Sequence, residues 1–410
     1  MLRIKKEIIF EGTKKSAKKT INSHGIPKEL VIPLKQHIGK EAKPIVEIGD
    51  KVKKYQKIAS ADGNFSANIH ASSSGEVSSI ERRITCDGDL MSIVIKTDGK
   101  DEKIKPEISD SMIENIKSAG IVGMGGACFP THIKLSPDKT CDTYILNGCE
   151  CEPYLTSDLR IMIEEPDKVI NGFKILMKTA GIKRGIIGVE EKDAYDSLSK
   201  YIEPSDNITI RLLKPKYPQG AEKILIYNLL GRKTPTGKIP SEVGVIVNNV
   251  STAKAVNDAA EGLPVVERVV TVSGNSGVPK NILVKIGTKF NDILEYCSDK
   301  VIAGGPMMGR TTHTLEVPVT KGINGITLLG EEEDEYENCI RCGSCIETCP
   351  MNLMPAKLAN YSSQGLYDMA KEYYLYDCFE CGSCAYVCPC RIPIVQLIKT
   401  AKKEFQYANK

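Results

Sequence analysis

Two cysteine runs near the end of the chain constrain its fold more than any other feature. Both have the spacing C-x-x-C-x-x-C-x-x-x-C followed by proline. Their members are Cys339, Cys342, Cys345 and Cys349, and then Cys378, Cys381, Cys384 and Cys388. Three thiolates on one tight loop can bind three irons of a cubane, whereas the cysteine before the proline points away from that loop. The spacing therefore predicts bound iron–sulfur clusters and an electron-transfer role.

The two runs are predicted to share their ligands between two 4Fe–4S clusters. Bacterial ferredoxins use this spacing, and in them the fourth cysteine of each run ligates the other cluster. We therefore assign one cluster to Cys339, Cys342, Cys345 and Cys388, and its partner to Cys378, Cys381, Cys384 and Cys349. A pair of structural zinc sites is the alternative. Such sites use separated C-x-x-C pairs, which explains neither the third spacing nor the two Cys-Pro steps.

Length and composition predict a multidomain protein of a reducing compartment, without a membrane span of its own. A chain of 410 residues exceeds what one hydrophobic core usually covers. Its 55 basic and 52 acidic residues give no electrostatic case for a nucleic-acid partner. The sequence has no apolar run as long as a bilayer span and no recognisable signal peptide. Eight of the 15 cysteines are assigned to clusters, and a reducing cytoplasm suits the others.

The order of strand-like and helix-like segments predicts a multidomain α/β fold. Short strands after Leu30 predict a β barrel-sandwich like that of biotinyl and lipoyl carriers, although the matching turn, 67–74, has no lysine to take a cofactor. Alternating strands and helices then predict a parallel sheet. The predicted units are an N-terminal solvated arm or edge strand over 1–29, the barrel-sandwich over 30–110, an α/β domain over 111–262, a β-grasp module over 263–328, and a helical two-cluster ferredoxin-like domain over 329–410.

Polar groups gather where strands of the predicted α/β domain end. A glycine-rich turn beginning at Gly123 can close its N–H groups on a phosphate, and Lys134 offers a cation to the same phosphate. The strand ends carry Asn147, Glu150, Glu152, Asn248 and Asn249. Ligands of open α/β sheets bind at the carboxyl ends of the strands. The pattern therefore predicts a heterocyclic ligand whose ring edge needs several hydrogen bonds.

These segments, taken in order, resemble a known family. Four of them look like the FMN-binding segments of the flavin subunit of respiratory complex I: Gly123-Met-Gly-Gly-Ala-Cys-Phe-Pro-Thr, Asn147-Gly-Cys-Glu-Cys-Glu-Pro-Tyr, Lys216-Tyr-Pro-Gln-Gly-Ala-Glu and Asn248-Asn-Val. With Ile32-Pro-Leu-Lys-Gln-His-Ile-Gly upstream and the two cysteine runs downstream, the chain resembles the RnfC family. Members of that family are the NADH-side subunits of Rnf ion-translocating ferredoxin:NAD oxidoreductases.

The resemblance implies a Rossmann-like FMN domain, a membrane-associated complex and named ligand contacts. It implies FMN contacts at Gly123, Gly125, Gly126, Lys134, Asn147, Tyr217, Gly220, Glu222, Asn248 and Asn249, and a nicotinamide-nucleotide role for Glu150, Glu152 and Phe129. Hydride would pass between NAD(H) and FMN, and single electrons through the clusters. The implied partners are integral membrane and ferredoxin-like subunits of one complex. The implied location is peripheral, at the cytoplasmic side of the cell membrane.

Two departures from the family pattern and two alternative functions stay open. The family's Gly-Gly-Ile-His-Pro stretch near the N-terminus is replaced by Phe10-Glu-Gly-Thr-Lys, and Cys128 stands where Gly or Thr is usual. One alternative is a soluble, cytoplasmic flavin and iron–sulfur reductase of the same kind, serving cobalamin reduction or a clostridial reductase system. The other is a cluster relay without its own NADH site.

Overall fold

The fold is described from a computed structural model for residues 8–275, 278–295, 298–330 and 335–408. The first seven residues of the predicted arm, the start of the predicted cluster domain at 331–334 and the last two residues lie outside these ranges. In chain order the strands are β1 (Ile21–Ser23), β2 (Glu29–Pro33), β3 (Lys43–Pro44), β4 (Lys51–Val52), β5 (Lys57–Ser60), β6 (Ile69–His70), β7 (Gly75–Thr85), β8 (Gly88–Thr97), β9 (Thr143–Gly148), β10 (Arg184–Val189), β11 (Ile208–Leu212), β12 (Val245–Asn249), β13 (Glu267–Gly274), β14 (Lys280–Lys285), β15 (Lys300–Ala303), β16 (Arg310–Thr312) and β17 (Gly325–Leu329).

Helices occupy the middle and the end of the chain. They are α1 (Met112–Ser118), α2 (Thr131–Lys134), α3 (Ser157–Glu164), α4 (Pro166–Thr179), α5 (Lys192–Ser199), α6 (Glu222–Leu230), α7 (Val250–Ala260), α8 (Phe290–Ile293), α9 (Ser344–Glu347), α10 (Pro355–Ser363), α11 (Tyr367–Glu372), α12 (Ser383–Tyr386) and α13 (Ile394–Ala408), with 3₁₀ turns at Pro204–Asp206, Pro240–Val243 and Leu375–Asp377. In the described part of the chain, no helix combines the length and the apolar character needed to cross a bilayer.

The barrel-sandwich consists of two small antiparallel sheets that face one core. One sheet has the order β2-β8-β7-β4 and the other β3-β5-β6. Alternate residues of the strands point inward, which gives a core that includes Leu30, Ile32, Ile58, Val77 and Ile93. The predicted β barrel-sandwich is therefore confirmed as a fold.

The middle of the chain forms a four-stranded parallel sheet with helices packed against it. The strand order is β11-β10-β9-β12, and every pairing is parallel. β9 and β12 are buried apolar runs, as expected for strands that are covered on both faces. In their register, Asn249 lies opposite Asn147. The sheet therefore brings two of the predicted polar strand ends side by side.

A third, six-stranded sheet joins distant parts of the chain. Its order is β1-β14-β13-β17-β15-β16, so β1 from the N-terminal segment pairs in parallel with β14. Of the two predicted states of residues 1–29, the structure thus shows an edge strand at Ile21–Ser23.

The helices α9 to α13 form the last layer around Leu358, Leu375, Ile394 and Ile398. Gly343 and Gly382 adopt φ values of +80° and +82° directly before α9 and α12, which permits the tight turns between the cysteines.

Candidate active site and cluster sites

The ends of β9 and β12 place three amide side chains at one edge of the parallel sheet. Asn147 donates from Nδ2 to the Gly220 carbonyl at 2.8 Å, and its Oδ1 accepts from the Cys149 N–H at 3.0 Å. Asn249 is the N-cap of α7 and accepts from the Ser251 N–H at 2.8 Å. Asn248 accepts from the Tyr144 hydroxyl at 3.0 Å. Hydrogen bonds thus fix the orientation of all three amides.

The glycine-rich loop closes over this edge. A bridge between Val122 and Pro130 joins its two ends, and the Gly123 N–H donates to the Phe129 carbonyl at 2.8 Å. A Cβ on Gly125 would lie 2.6 Å from Asn249 Nδ2, so only glycine allows this approach. A Cβ on Gly126, by contrast, would meet no atom within 4 Å. The loop therefore rests on the sheet edge through Gly125 and presents Gly126 to open space.

A buried arginine supports the same loop from the six-stranded sheet. Arg268 is 2% exposed, and its Nη2 donates to the Met124 carbonyl at 2.5 Å. Its Nη1 is buried and has no hydrogen-bond partner among the described residues. From the other side, Thr252 Oγ1 accepts from the Met124 N–H at 2.9 Å. A buried guanidinium with a spare donor, beside a glycine loop and the N-terminus of α7, fits an anionic phosphate.

The segment 216–222 connects this edge to the cluster domain. A Cβ on Gly220 would lie 2.4 Å from the Cys149 carbonyl oxygen, so the segment packs directly on the loop after β9. Tyr217 is 2% exposed and donates from its hydroxyl to the Cys381 carbonyl at 2.6 Å. Glu222 begins α6 and pairs with Lys134 at 2.9 Å. The cation predicted for a phosphate is thus balanced by a carboxylate in this structure.

The two glutamates after β9 face different parts of the protein. The Glu150 carboxylate accepts from the N–H groups of Asp158 and Leu159, each at 3.1 Å, and so caps α3. The Glu152 carboxylate accepts from the N–H groups of Met307 and Met308 at 3.2 and 2.8 Å. Desolvation raises the pKa of Glu150 and raises the pKa of Glu152 to about 7. The nicotinamide role of both residues stays a prediction.

Phe129 and Cys128 lie at the closing end of the glycine loop. Phe129 packs edge-on against Phe65 of the barrel-sandwich, with ring centroids 6.0 Å apart. Cys128 has a φ of +54°, and a Cβ on Gly322 would lie 2.5 Å from its sulfur. Desolvation raises the pKa of the Cys128 thiol, so the thiolate form is disfavoured. A packed, unreactive thiol is therefore what this environment favours.

Four of the eight cysteines predicted to bind clusters line one cavity, and the grouping of all eight into two sites stays a prediction. A cavity is lined by Cys349, Cys378, Cys381 and Cys384, the full set assigned to one cluster. Burial raises the pKa of Cys345, and the thiols of Cys388, Cys339 and Cys342 raise it further. Among the described residues, no three metal-ligating side chains converge on a single ion position. A cubane binds its thiolates at four separate irons, so such convergence is not required.

Sequence reasoning found the strand ends but missed the residues that hold them. The structure links Gly125 to Asn249, Asn147 to Gly220, Lys134 to Glu222 and Tyr217 to Cys381. It adds Lys14, Phe10, Asp158, Thr252 and Arg268 to the surroundings of the site. Of these residues, only Arg268 could have been noticed in the sequence. It is a charged residue within the valine-rich strand β13, at a position that is buried. The others depend on contacts between distant segments.

Comparison with known protein families agrees with these sites. A family model for the Nuo51 FMN-binding domain matches residues 116–258, one for the RnfC barrel sandwich hybrid domain matches 2–100, and one for a 4Fe-4S dicluster domain matches 329–389. In fold, the structure resembles an NAD+-reducing NiFe hydrogenase in its H2-reduced state, with a TM-score of 0.52 at 16% identity over 72% of this chain and 62% of the other. Fold and site together define an oxidoreductase component with an FMN domain and a two-cluster domain.

Sequence relatives identify the family within that class. A subunit of the proton-translocating ferredoxin:NAD(+) oxidoreductase complex of Clostridium ljungdahlii is 45% identical, over 97% of this chain and 93% of the relative. Its counterpart in the Na(+)-translocating complex of Acetobacterium woodii is 42% identical over 92% of this chain and 91% of the relative. The counterpart in the ion-translocating oxidoreductase complex of Rhodobacter capsulatus is 38% identical over 93% and 79%. This chain belongs to the RnfC family.

Proposed function

We propose that this chain is the NAD(H)-reactive component of an ion-translocating ferredoxin:NAD+ oxidoreductase complex. It exchanges hydride between NAD(H) and FMN at the edge of the parallel sheet and passes single electrons through its two clusters. One observation carries the proposal: Tyr217, on the segment that packs against the strand ends, donates its hydroxyl to the peptide of the cluster ligand Cys381. The candidate flavin site and one cluster site are therefore joined by a direct contact.

The residues at the sheet edge fit a bound flavin mononucleotide. Gly126 leaves space where a side chain would stand, and the buried Nη1 of Arg268 offers a donor for the phosphate. Hydrogen bonds hold the amides of Asn147, Asn248 and Asn249 in place at this edge, and we propose that the flavin ring lies against this edge. Bound FMN supplies a step that iron–sulfur centres cannot perform, because it accepts two electrons as a hydride and releases them one at a time.

Glu152 and Phe129 are proposed to contact the nicotinamide nucleotide. Glu152 holds the backbone of the Gly304-to-Gly309 loop through two N–H groups, and Gly305 approaches its carboxylate so closely that a Cβ would lie 2.3 Å from Oε2. Glu150, on the same loop after β9, accepts from the Asp158 N–H and so caps α3. The two carboxylates therefore hold the loop after β9 between α3 and the Gly304-to-Gly309 loop.

The exposure of the cysteines suggests the order of the clusters. Cys381 and Cys384 are 9% and 7% exposed and lie on the flavin side, whereas Cys339 and Cys342 are exposed. We call the site of Cys349, Cys378, Cys381 and Cys384 the inner cluster site. The site of Cys339, Cys342, Cys345 and Cys388 is the outer cluster site. Electrons would enter from the flavin at the inner site and leave to a partner protein at the outer site, or follow the reverse path.

Two cysteine variants test this order. In Cys342→Ser the inner cluster should remain and should still be reduced by NADH, so that one of two EPR signals is lost. In Cys381→Ser the outer cluster should remain reducible by dithionite but respond slowly to NADH. Equal and fast NADH reduction of the remaining cluster in both variants would contradict the proposed order. The iron content of each variant is measured before the titration, which shows whether a variant has lost one cluster or both.

The partners and the location are proposed on the same basis. A chain that exposes an electron-transfer site needs a docking protein there, and its relatives are subunits of translocating complexes by name. We propose integral membrane and ferredoxin-like subunits as partners, with this chain peripheral at the cytoplasmic side of the membrane. Co-purification with integral subunits from solubilised membranes supports this placement. Recovery of all the protein in the soluble fraction, with no partner, would favour a soluble reductase instead.

A further inference from the structure

The N-terminal clasp, residues 8–16, contacts both the candidate flavin site and the inner cluster site. The Ile8 carbonyl accepts from the Tyr217 N–H at 2.9 Å. Phe10 packs edge-on against Tyr217, with ring centroids 5.7 Å apart, and against Tyr386 at 5.2 Å. Tyr386 lies on α12, between the cluster ligands Cys384 and Cys388. One aromatic ring thus stands between the flavin-site segment and the cluster domain.

The surroundings of Phe10 are the apolar junction between these two parts. Ile8, Tyr217 and Cys381 are buried together there, with Met307, Phe379 and Val387 packed around them. Edge-to-face aromatic contacts are favourable beyond the apolar area they bury. Phe10 makes two of them, one to each side of the junction. The separation of the two parts is therefore set in part by the size of this ring.

Lys14 holds the loop after β9 from the same clasp. Its Nζ donates to the carbonyls of Glu150, Glu152 and Leu155 at 2.5, 2.9 and 2.5 Å. The loop carrying Glu152 is therefore wrapped around one ammonium group. The Lys14 charge also lowers the pKa of Glu150, Glu152 and Glu190, against the upward shift from desolvation. Lys14 is both an anchor for this loop and a counter-charge for its carboxylates.

The clasp is fastened at its far end as well. Ser16 is fully buried, and its hydroxyl shares a hydrogen bond of 2.7 Å with Thr156 Oγ1. Asn281 of β14 donates to the carbonyls of Ser16 and Lys19 at 2.9 and 3.0 Å. Both ends of the clasp are thus held by polar contacts, and the Phe10 ring lies between them.

We propose that the N-terminal clasp is a positioning element for electron transfer between the flavin and the inner cluster. Phe10 sets the distance across the junction, and Lys14 sets the place of the loop that carries Glu152. With FMN and the inner cluster bound on either side of this junction, one electron at a time would pass from the reduced flavin to the cluster, with no bond formed or broken in that transfer. Electron tunnelling slows exponentially with distance, so a small change at the junction changes this rate more than it changes hydride transfer. This proposal rests on the proposed function.

Variants at Phe10 separate positioning from folding. Phe10→Leu keeps an apolar side chain, Phe10→Ala removes it, and Tyr201→Leu changes an aromatic residue that is 45% exposed outside the junction. Each cofactor-loaded protein is mixed anaerobically with NADH, and flavin bleaching and cluster bleaching are followed separately. Phe10→Ala should slow cluster bleaching at least about tenfold relative to flavin bleaching, Phe10→Leu should slow it less, and Tyr201→Leu should leave the ratio unchanged.

A second readout does not depend on turnover. Hydrogen exchange should rise in Phe10→Ala at the Tyr217 amide and in 381–390, and in Lys14→Met at 150–155. Lys18→Met is the matched control, because Lys18 is exposed just beyond the clasp. Lys14→Met should also raise the KM for NADH several-fold while flavin content stays unchanged. The exchange pattern and the rate ratio together distinguish a positioning role from a general loss of stability.

The outcomes separate this proposal from the proposed function. If NADH fails to bleach the flavin of the wild-type protein, the proposed function is wrong. If the wild-type protein reacts and Phe10→Ala keeps the wild-type ratio of the two bleaching rates, the clasp proposal alone is wrong. Equal slowing of both rates with a lower melting temperature would also overturn it, because the clasp would then only stabilise the fold.

Discussion

Gly126 is the residue whose substitution tests ligand contact without disturbing the fold. A Cβ there meets no protein atom within 4 Å, and the residue's φ is not positive, so alanine fits the unliganded structure. If FMN approaches the loop closely, Gly126→Ala should weaken FMN binding about tenfold, or roughly 1.4 kcal/mol, with an unchanged melting temperature. Gly25→Ala, which also points its Cβ into open space, is the control. Flavin titration followed by fluorescence measures the affinity, and full affinity in Gly126→Ala would show that bound FMN does not approach this loop.

Glu190 predicts a pH dependence of stability with a definite sign. It is 8% exposed at the end of β10, and burial raises its pKa from the ordinary value of 4.5 to about 7. Between these two values the folded chain keeps a proton that the unfolded chain has lost. This stabilisation is complete below pH 4.5 and is lost as the pH rises from there through about 7, on the order of 3 kcal/mol in total.

Glu190→Gln cannot titrate and should therefore lose less stability over this range. In urea unfolding from pH 5 to pH 8, the free energy of unfolding of the variant should rise relative to that of the wild-type protein as the pH rises. The exposed neighbour Glu191 supplies the control, Glu191→Gln. Parallel pH profiles for wild type and Glu190→Gln would show that Glu190 does not titrate in this window.

Single residues show where sequence reasoning succeeded and where it stopped. Motif spacing was sufficient for the cluster cysteines, because their chemistry requires neighbours in sequence. Asn147 and Asn249 could be placed together because parallel strands align their ends. The partner of Lys134 could not be predicted, since Glu222 lies on another helix far along the chain. The position of Phe10 depends on the same kind of distant contact.

At the scale of elements, the packing of α4 on α7 supports the site. A Cβ on Gly172 would lie 1.8 Å from the Ala253 carbonyl oxygen, so the two helices approach through this glycine. The N-terminus of α7 carries Asn249 as its cap, next to the glycine loop. Alanine at 172 would gain about 1 kcal/mol of helix propensity, yet forcing a Cβ into packed backbone typically costs 1–3 kcal/mol or more. The clash is therefore expected to outweigh the propensity.

Gly172→Ala should lower the melting temperature by several degrees and weaken FMN retention as α7 shifts. Asn171→Ala changes the exposed neighbour in the same helix and should leave both quantities unchanged or slightly stabilise the protein. Thermal unfolding and the flavin-to-protein ratio after gel filtration measure the two effects. A Gly172→Ala protein with the stability of Asn171→Ala would show that the helices can separate at no cost.

Element type followed from the sequence more readily than element pairing. Strands β9 and β12 are apolar runs that end in amides, and this pattern is local. The pairing of β1 with β14 joins residues about 260 positions apart, and no short-range pattern encodes it. The six-stranded sheet was therefore predicted from the sequence only as a β-grasp module over 263–328, and the possible edge strand of the N-terminal segment was not assigned to it.

At the scale of the molecule, the units are connected by polar contacts as well as by chain. Lys54 and Asp101 of the barrel-sandwich side meet Glu267 and Lys285 of the six-stranded sheet, with N–O distances between 2.8 and 3.3 Å. The side chains of Lys285 and Lys54 are 6% and 10% exposed, so the two ammonium groups of this network are largely buried between the units. The Tyr217 hydroxyl and the N-terminal clasp then join the parallel sheet to the cluster domain. The fold thus fixes the flavin site against the inner cluster site from two sides.

The most direct test of this account is an anaerobic titration of the cofactor-loaded chain with NADH, followed by flavin and cluster spectra together. The account predicts that NADH bleaches the flavin and that cluster signals then appear, the inner cluster before the outer one. A protein with two intact clusters, and with no flavin bound or with a flavin that NADH does not bleach, would contradict it.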